Sequence, residues 1–426
     1  MARIAVIGTG YVGLTTGACL AYLGHKVVCA DIDKGKIERL QRGEIPIVEQ
    51  GLDRVVNEGL RSGQLSFVTD AAEASRDAEF HYLCVPTPSR SDGSADTSYL
   101  EAALDVIGPV LKPDCVVVNK STVPVGSASV VSDVLRRPDI AVVSNPEFLR
   151  EGSAVHDFLN PDRVVVGALD EHAASRVAAL YSRLNAPVMI TDPVSAETIK
   201  YASNAFLASK LSFINSIANL CEAVGADVGD VVAGMGYDAR IGREYLSPGP
   251  GWGGSCFPKD TEALTLIAEA AGYDFKFLKE VILANEEQYQ RTSQKVIDAA
   301  GSSNEHVAVL GLTFKAGTDD LRNSPAIKVI EQVVEAGISV HAYDPTVLDS
   351  DKLGDLGSRI RVCPDPYVAA QDASVLVVLT EWDQFKWLDF DKVSEIMSSN
   401  KIVDGRNHLD PVMVKRRGFD YKGVGL

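Results

Sequence analysis

Short unbroken apolar runs alternate with longer stretches of helical period along most of this chain. Ile4–Ile7 is such a run, with the length of a strand buried on both faces. A helical stretch follows it to Gly24, read as a C-terminal stop, and "KVVCADID" then supplies a second strand with Asp31 at its carboxyl end. "EFHYLCVPTP", "CVVVNKSTVP", "IAVVSNPEF" and "DRVVVGAL", with helical stretches such as "TSYLEAALDVIGPVL" between them, continue the alternation. That order predicts a doubly wound parallel sheet through about residue 190. From Ser195, read as an N-cap, to Gly225, read as a stop, one helical pattern of about 29 residues would span ~43 Å, longer than one small domain needs. Such a helix links domains and often carries a subunit interface. Lys200 and Asn204 stand four apart on it and so share a face. After a further helical stretch the pattern restarts: "HVAVLGLTFK", "PAIKVIEQVVEAG" and "ISVHAYDP" read strand, helix, strand, ending at Asp344, and "ASVLVVLT" and "KIVDGRN" add later strands.

The first strand–helix junction carries chemistry. Gly8, Gly10 and Gly13 form G-x-G-x-x-G where the strand ends, and Asp31 lies at the end of the next strand. Gly8 permits the tight turn, Gly10 lets a pyrophosphate approach the backbone, and Gly13 lets helix pack on strand. The helix N-terminus favours the phosphate charge, and a carboxylate at Asp31 can take the ribose hydroxyls of NAD while repelling the extra phosphate of NADP. The restart near residue 307 lacks the triplet and has "LTFKAGTDDLRNSP" instead, which leaves open a different nucleotide site or a purely structural sheet. The fold class is therefore α/β, with two Rossmann-like doubly wound parallel-sheet domains joined by a long central helix and a helical middle domain. The expected boundaries are 1–194, 195–300 and 301–426.

Composition narrows the partners. Apolar residues make up 46% and charged residues 23% of 426, and no apolar run reaches the ~20 residues of a membrane span. The N-terminus "MARIAVIGTGYVG" enters a strand at once without a signal-peptide layout, so a cytoplasmic location and no membrane partner are expected. Seven cysteines are scattered, none in C-x-x-C, so neither disulfides nor a metal site is expected. A net charge of −17 argues against nucleic acid as a partner. Isolated cations at a few motifs would still serve a small anion.

One thiol is placed unlike the others. "GPGWGGSCFPKD", Gly249 to Asp260, ends a flexible glycine-rich loop with Cys256, then places Pro258 where a helix would take its first residue. Cys256 then lies just before a helix N-terminus, whose partial positive charge favours thiolate, with Lys259 adjacent. A buried packing cysteine fits such a loop poorly.

"IAVIGTGYVGL", "DGSAD", "KSTVPVG", "NPEFLREGSA", "IKYASNAFLA", "RIG", "GWGGSCFPKD", "FKAGTDDLRNSP" and "DGRN" occur in the order found in one family. Over nearly its whole length the chain resembles the UDP-glucose/GDP-mannose dehydrogenase family. The resemblance implies NAD-dependent oxidation of the C6 alcohol of a nucleotide sugar to a carboxylate, with Cys256 as nucleophile. UDP-glucose is the expected substrate, and GDP-mannose or a UDP-N-acetylhexosamine the alternative. By the same resemblance Lys200 and Asn204 would steady the developing oxyanion, Asp260 would work with an ordered water, and Thr122 and Glu147 would position or activate the hydrolytic water. NAD would be held by Gly8, Gly10, Tyr11, Val12, Gly13, Asp31, Lys36, Thr122, Glu151, Lys259 and Arg322. UDP-sugar would meet Phe148, Leu149, Arg150, Glu151, Lys200, Asn204, Arg240, Tyr245, Leu246, Ser247, Pro248, Gly249, Gly253 and Lys315, with the four loop glycines letting backbone close on the sugar. Arg240 reaches a neighbouring subunit's site in several relatives, which implies a homodimer or larger homo-oligomer. Gln50, Pro86 and Asn119 depart from the family's pattern, where Pro, Gly and Asp are usual.

Overall fold

The computed structural model describes residues 1–88, 90, 96–301 and 306–426; Asp92 to Ala95 of the "DGSAD" motif lie outside the described residues. The chain divides into two compact units, Met1–Ser203 and Asn204–Leu426.

In the first unit the strands are β1 (Arg3–Ile7), β2 (Lys26–Ala30), β3 (Leu65–Val68), β4 (Phe80–Leu83), β5 (Val116–Asn119), β6 (Ala141–Ser144), β7 (Val164–Ala168) and β8 (Val188–Thr191). Their sheet order is β3-β2-β1-β4-β5-β6-β7-β8. The first six strands have the doubly wound 3-2-1-4-5-6 order, whose switch point lies between β1 and β4. Alternate residues of β1 face opposite cores: Ile4 and Val6 pack on one side, Ala5 and Ile7 on the other. That is why the strand reads as an unbroken apolar run. One expectation needs correcting. β7 pairs antiparallel with β6, and β8 follows β7, so the sheet is mixed rather than parallel to its end.

The second unit repeats the plan with β9 (Val307–Leu310), β10 (Val340–Tyr343), β11 (Arg361–Val362), β12 (Val375–Val378), β13 (Lys401–Asp404) and β14 (Asp420–Lys422) in the order β11-β10-β9-β12-β13-β14. All its pairings are parallel. Ahead of the sheet come the helices Val228–Gly236, Phe257–Ala270 and Lys276–Ala300. Trp252, Leu278 and Val281 pack there against Ala205 and Ala208.

The long helix runs Pro193–Val224, 32 residues. It starts two residues before the expected Ser195. Asp192, not Ser195, is the capping acid, its Oδ1 accepting the Ser195 N–H at 2.8 Å. Pro193 suits the first turn because its missing N–H would go unpaired there.

Candidate active-site groups

The glycine turn after β1 is built as the triplet demands. A Cβ on Gly13 would lie 2.0 Å from the Gly8 carbonyl oxygen, and Gly8 has φ +96. Gly10 has nothing within 4 Å of an added Cβ, so the backbone before the helix Tyr11–Tyr22 is open to a ligand. Asp31 closes the turn from the end of β2: its Oδ2 accepts Thr9 N–H at 2.8 Å and Thr9 Oγ1–H at 2.6 Å, and Lys36 Nζ lies 3.2 Å away. Burial alone would push the Asp31 carboxyl up, but these bonds more than offset it and hold its pKa below the ordinary value. This geometry fits a dinucleotide: open backbone at Gly10, a close-packed helix, and an ionised acid at the strand end.

Two loops at the carboxyl ends of β5 and β6 carry the next groups. Glu147 and Lys200 form a buried ion pair, Nζ to Oε1 2.6 Å, each side chain 5% exposed. Glu147 Oε2 also accepts the Leu149 N–H at 2.7 Å. Burial opposes its charge, yet the Lys200 ammonium, that N–H and the nearby Lys120 together pull its pKa below the usual value. Phe148 lies under two cations, with the Arg163 guanidinium 3.6 Å and Lys200 Nζ 5.7 Å from its ring centre. Thr122, Lys120, Lys200, Glu197 and Tyr201 line one void of about 10 Å³, which is the scale of a single water.

Three residues that hold these loops had no role in the sequence reading. Lys120 is buried, its Nζ 3.3 Å from both the carbonyl and the side-chain oxygen of Asn145. Burial lowers its pKa to about 8, against the raising effect of Glu147 and Cys84. Glu49 accepts the N–H groups of Gly152 and Ala154 at 2.7 and 2.8 Å, pinning the loop that holds Phe148–Glu151. Glu197 does the same for the Thr122 loop. Lys120 lies inside the quoted "KSTVPVG" and Glu197 within the helical pattern from Ser195, but only the fold shows what they and Glu49 hold.

The second unit holds the thiol. Cys256 occupies the N-cap position of the helix Phe257–Ala270 and is half-buried. Phe257 is the first helical residue and Pro258 the second, one position later than expected. One turn on, Asp260 is fully buried; its Oδ2 accepts from Asn204 Nδ2 at 2.5 Å and its Oδ1 meets Lys259 Nζ at 2.7 Å. The long helix therefore supplies Lys200 to the first unit's ion pair and Asn204 to the second unit's acid.

The loop before Cys256 is strapped by side chains of two helices. Asn215 accepts the Gly249 N–H, Gln288 donates to the Gly249 carbonyl, and Asn285 bonds both the N–H and the carbonyl of Trp252. Ser212 accepts from the Trp252 indole at 2.8 Å. Its glycines are needed for contacts within the protein. A Cβ would lie 2.3 Å from Tyr289 at Gly251, 1.9 Å from the Asn323 carbonyl at Gly253 and 2.9 Å from the Phe314 ring at Gly254. Phe314 and Asn323 belong to "FKAGTDDLRNSP", so two of the quoted motifs meet here. Tyr245, with φ +61, packs its ring 6.2 Å from Phe257, and Leu246 beside it is buried.

The cations expected to stand alone are paired. Arg150 is held by Asp157 through three bonds of 2.7–3.0 Å. Arg240 and Arg322 are each gripped by an aspartate two residues earlier, Asp238 and Asp320, through backbone N–H and guanidinium together. That D-x-R spacing was readable from sequence. Lys315 sits with its Nζ 5.6 Å from the Phe314 ring centre. Arg406 of "DGRN", unassigned from sequence, donates to the Leu379 and Phe314 carbonyls at 2.9 and 2.8 Å, at the carboxyl ends of β12 and β9. Among the described residues no cluster of three His, Cys, Asp or Glu could hold a metal, and no helix is long and apolar enough to cross a membrane.

Three family models match the chain in succession: the NAD binding domain of the UDP-glucose/GDP-mannose dehydrogenase family at residues 2–185, its central domain at 194–287 and its UDP binding domain at 308–411. The chain belongs to this family. Within it, a UDP-glucose 6-dehydrogenase of Bacillus subtilis (strain 168) is 44% identical over all of this chain and 93% of its own length. One from Rhizobium meliloti (strain 1021) is 45% identical over 99% of each. Among solved structures, a UDP-glucose dehydrogenase from Pyrobaculum islandicum superposes with a TM-score of 0.91 at 38% identity, covering 100% of this chain and 98% of the other. Like other members, the chain pairs an NAD binding domain with a UDP binding domain.

Proposed function

We propose that this family member oxidises the C6 alcohol of UDP-glucose to the carboxylate of UDP-glucuronate. The observation that carries the reading is Cys256 at a helix N-cap with Asp260 buried one turn behind it between Asn204 and Lys259. Near-complete coverage of UDP-glucose 6-dehydrogenases at 44% and 45% identity supports the sugar.

The dinucleotide, when bound, accepts the hydride in each of the two oxidations. Gly8, Gly10, Tyr11, Val12, Gly13, Asp31 and Lys36 would hold it, with Thr122, Glu151, Lys259 and Arg322. The Cys256 sulfur adds to C6 of the sugar aldehyde, and the aldehyde oxygen becomes the hydroxyl of a thiohemiacetal. After the second oxidation the same sulfur holds C6 as a thioester. Water then adds at C6, the C–S bond breaks, and the carboxylate leaves with the thiol restored. Lys200 and Asn204 stabilise negative charge on oxygen at C6, Asp260 exchanges protons with water, and Thr122 and Glu147 orient the water of the last step. Phe148–Glu151, Arg240, Tyr245–Gly249, Gly253 and Lys315 form the substrate set, with residues 301–426 as the nucleotide portion, 1–194 as the cofactor portion and 195–300 between them.

Cys256→Ser tests the covalent route. Thermal stabilisation by NAD and by UDP-glucose should survive while acid product disappears; acid formation at the wild-type rate would overturn it. NADH formation across UDP-glucose, GDP-mannose and UDP-N-acetylhexosamines tests the sugar, and faster turnover of either alternative would displace UDP-glucose.

A homodimer and a cytoplasmic location belong to the same reading. Phe206, Phe213 and Leu220 recur every seven residues on the long helix and are more than half exposed, an apolar stripe that a second copy would cover. Six of the seven cysteines are buried thiols, as suits a reducing compartment.

A further inference from the structure

Glu197 stands three residues before Lys200 on the long helix, is 5% exposed, and spends both carboxylate oxygens on another part of the first unit. Oε2 accepts the Gly126 N–H at 2.6 Å; Oε1 accepts the Ala128 N–H at 3.1 Å and the Ser144 hydroxyl at 2.7 Å. Gly126 is the N-cap residue of the helix Ser127–Leu135, with φ +95 and no side chain, so the usual local cap is missing there. The first N–H groups of that helix are instead satisfied from 69 and 71 residues away. A buried carboxylate is a costly substitute for a serine, unless its value lies in what it ties together.

It ties the two loops to which the hydrolytic step is assigned. Gly126 ends the segment carrying Thr122, and Ser144 ends β6, three residues before Glu147. The same carboxylate lines the void shared by Thr122 and Lys200. No bond from Glu197 reaches the glycine turn at Gly8–Gly13, and the Cys256 loop is strapped by its own amides.

We propose that Glu197 is a positioning residue for thioester hydrolysis, setting Thr122 and Glu147 relative to each other through three hydrogen bonds. The proposal rests on the thioester reading above. Its loss should therefore slow water delivery and leave the two oxidations nearly intact once NAD, to which Thr122 is also assigned, is saturating.

The test is rapid-mixing kinetics of Glu197→Gln with UDP-glucose and NAD. The NADH burst should keep its rate within about twofold, while the steady-state rate falls about tenfold or more and an acyl adduct on Cys256 accumulates in quenched samples. A purely structural cap predicts otherwise: a lower melting temperature with an unchanged ratio of burst to steady-state rate, or both rates falling together. Either result overturns the proposal. Should Glu197→Gln fail to fold, Ser144→Ala removes one of the three bonds and should shift the ratio in the same direction by a smaller factor. An unchanged ratio there overturns the proposal equally. If Cys256→Ser still makes acid, the thioester reading itself has failed, which is a separate outcome.

Discussion

Lys120, Glu147 and Lys200 place two ammonium groups and one carboxylate in the interior of the first unit, where unpaired charge is costly. Glu147 stays ionised because Lys200 bonds it directly, whereas among the described residues Lys120 has only the oxygens of Asn145 within bonding distance. Its pKa of about 8 lies below that of an unfolded lysine, about 10.4. Between these values the unfolded chain binds more protons than the native one, so native stability rises with pH across that window. Below pH 8 both states are protonated and the slope vanishes. Lys120→Met lacks this behaviour. Denaturation at pH 7.5 and 9.5 should show wild type gaining on the variant by up to about 1.4 kcal/mol per pH unit; a constant difference would mean Lys120 titrates normally.

Both sheets use one device at the strand end. Asp31 after β2 caps Thr9, and Asp344 after β10 accepts from Leu312 N–H, Thr313 N–H, Thr313 Oγ1–H and the Trp382 indole through one oxygen, Oδ2. The carboxylate strut persists in the second unit although the glycine triplet does not. Asp344→Asn keeps the size but turns one acceptor into a donor. We expect a loss of about 2 kcal/mol, read as a lower melting temperature and a weaker UDP-induced shift, with NAD stabilisation unchanged. Strands buried on both faces, such as β1, β5, β9 and β12, were legible as apolar runs. The missed ones lack that signature: β8 has three exposed residues of four, β11 has two residues, and β3 and β14 alternate. The reversal of β7 was not legible, because 19 residues separate it from β6 and can return in either direction. The loop before Cys256 was misjudged for a related reason. Its glycines signal freedom until Asn215, Asn285 and Gln288, ordinary polar positions on two helices, are known to strap it.

For the whole chain, the motif order identified the family, while the pairing of its charges needed the fold. An acidic protein of net charge −17 keeps the arginines proposed for its ligands beside aspartates, so an incoming diphosphate would have to compete for each guanidinium. The apolar stripe on the long helix bears on assembly. Phe213→Glu should convert a dimer to monomer in light scattering at micromolar concentration, and a mass unchanged from wild type would move the interface elsewhere.

Six of the seven thiols are at most 7% exposed, and burial raises the pKa of Cys19, Cys29, Cys84, Cys115 and Cys363. Cys256 alone is half-open, at a helix start that favours its anion. A thiol-directed electrophile or peroxide meeting the folded protein therefore has one accessible thiol, and it is the proposed nucleophile. Oxidative stress would act on this enzyme as an off-switch, reversible by a thiol reductant while the sulfur remains a sulfenic acid and permanent beyond that stage.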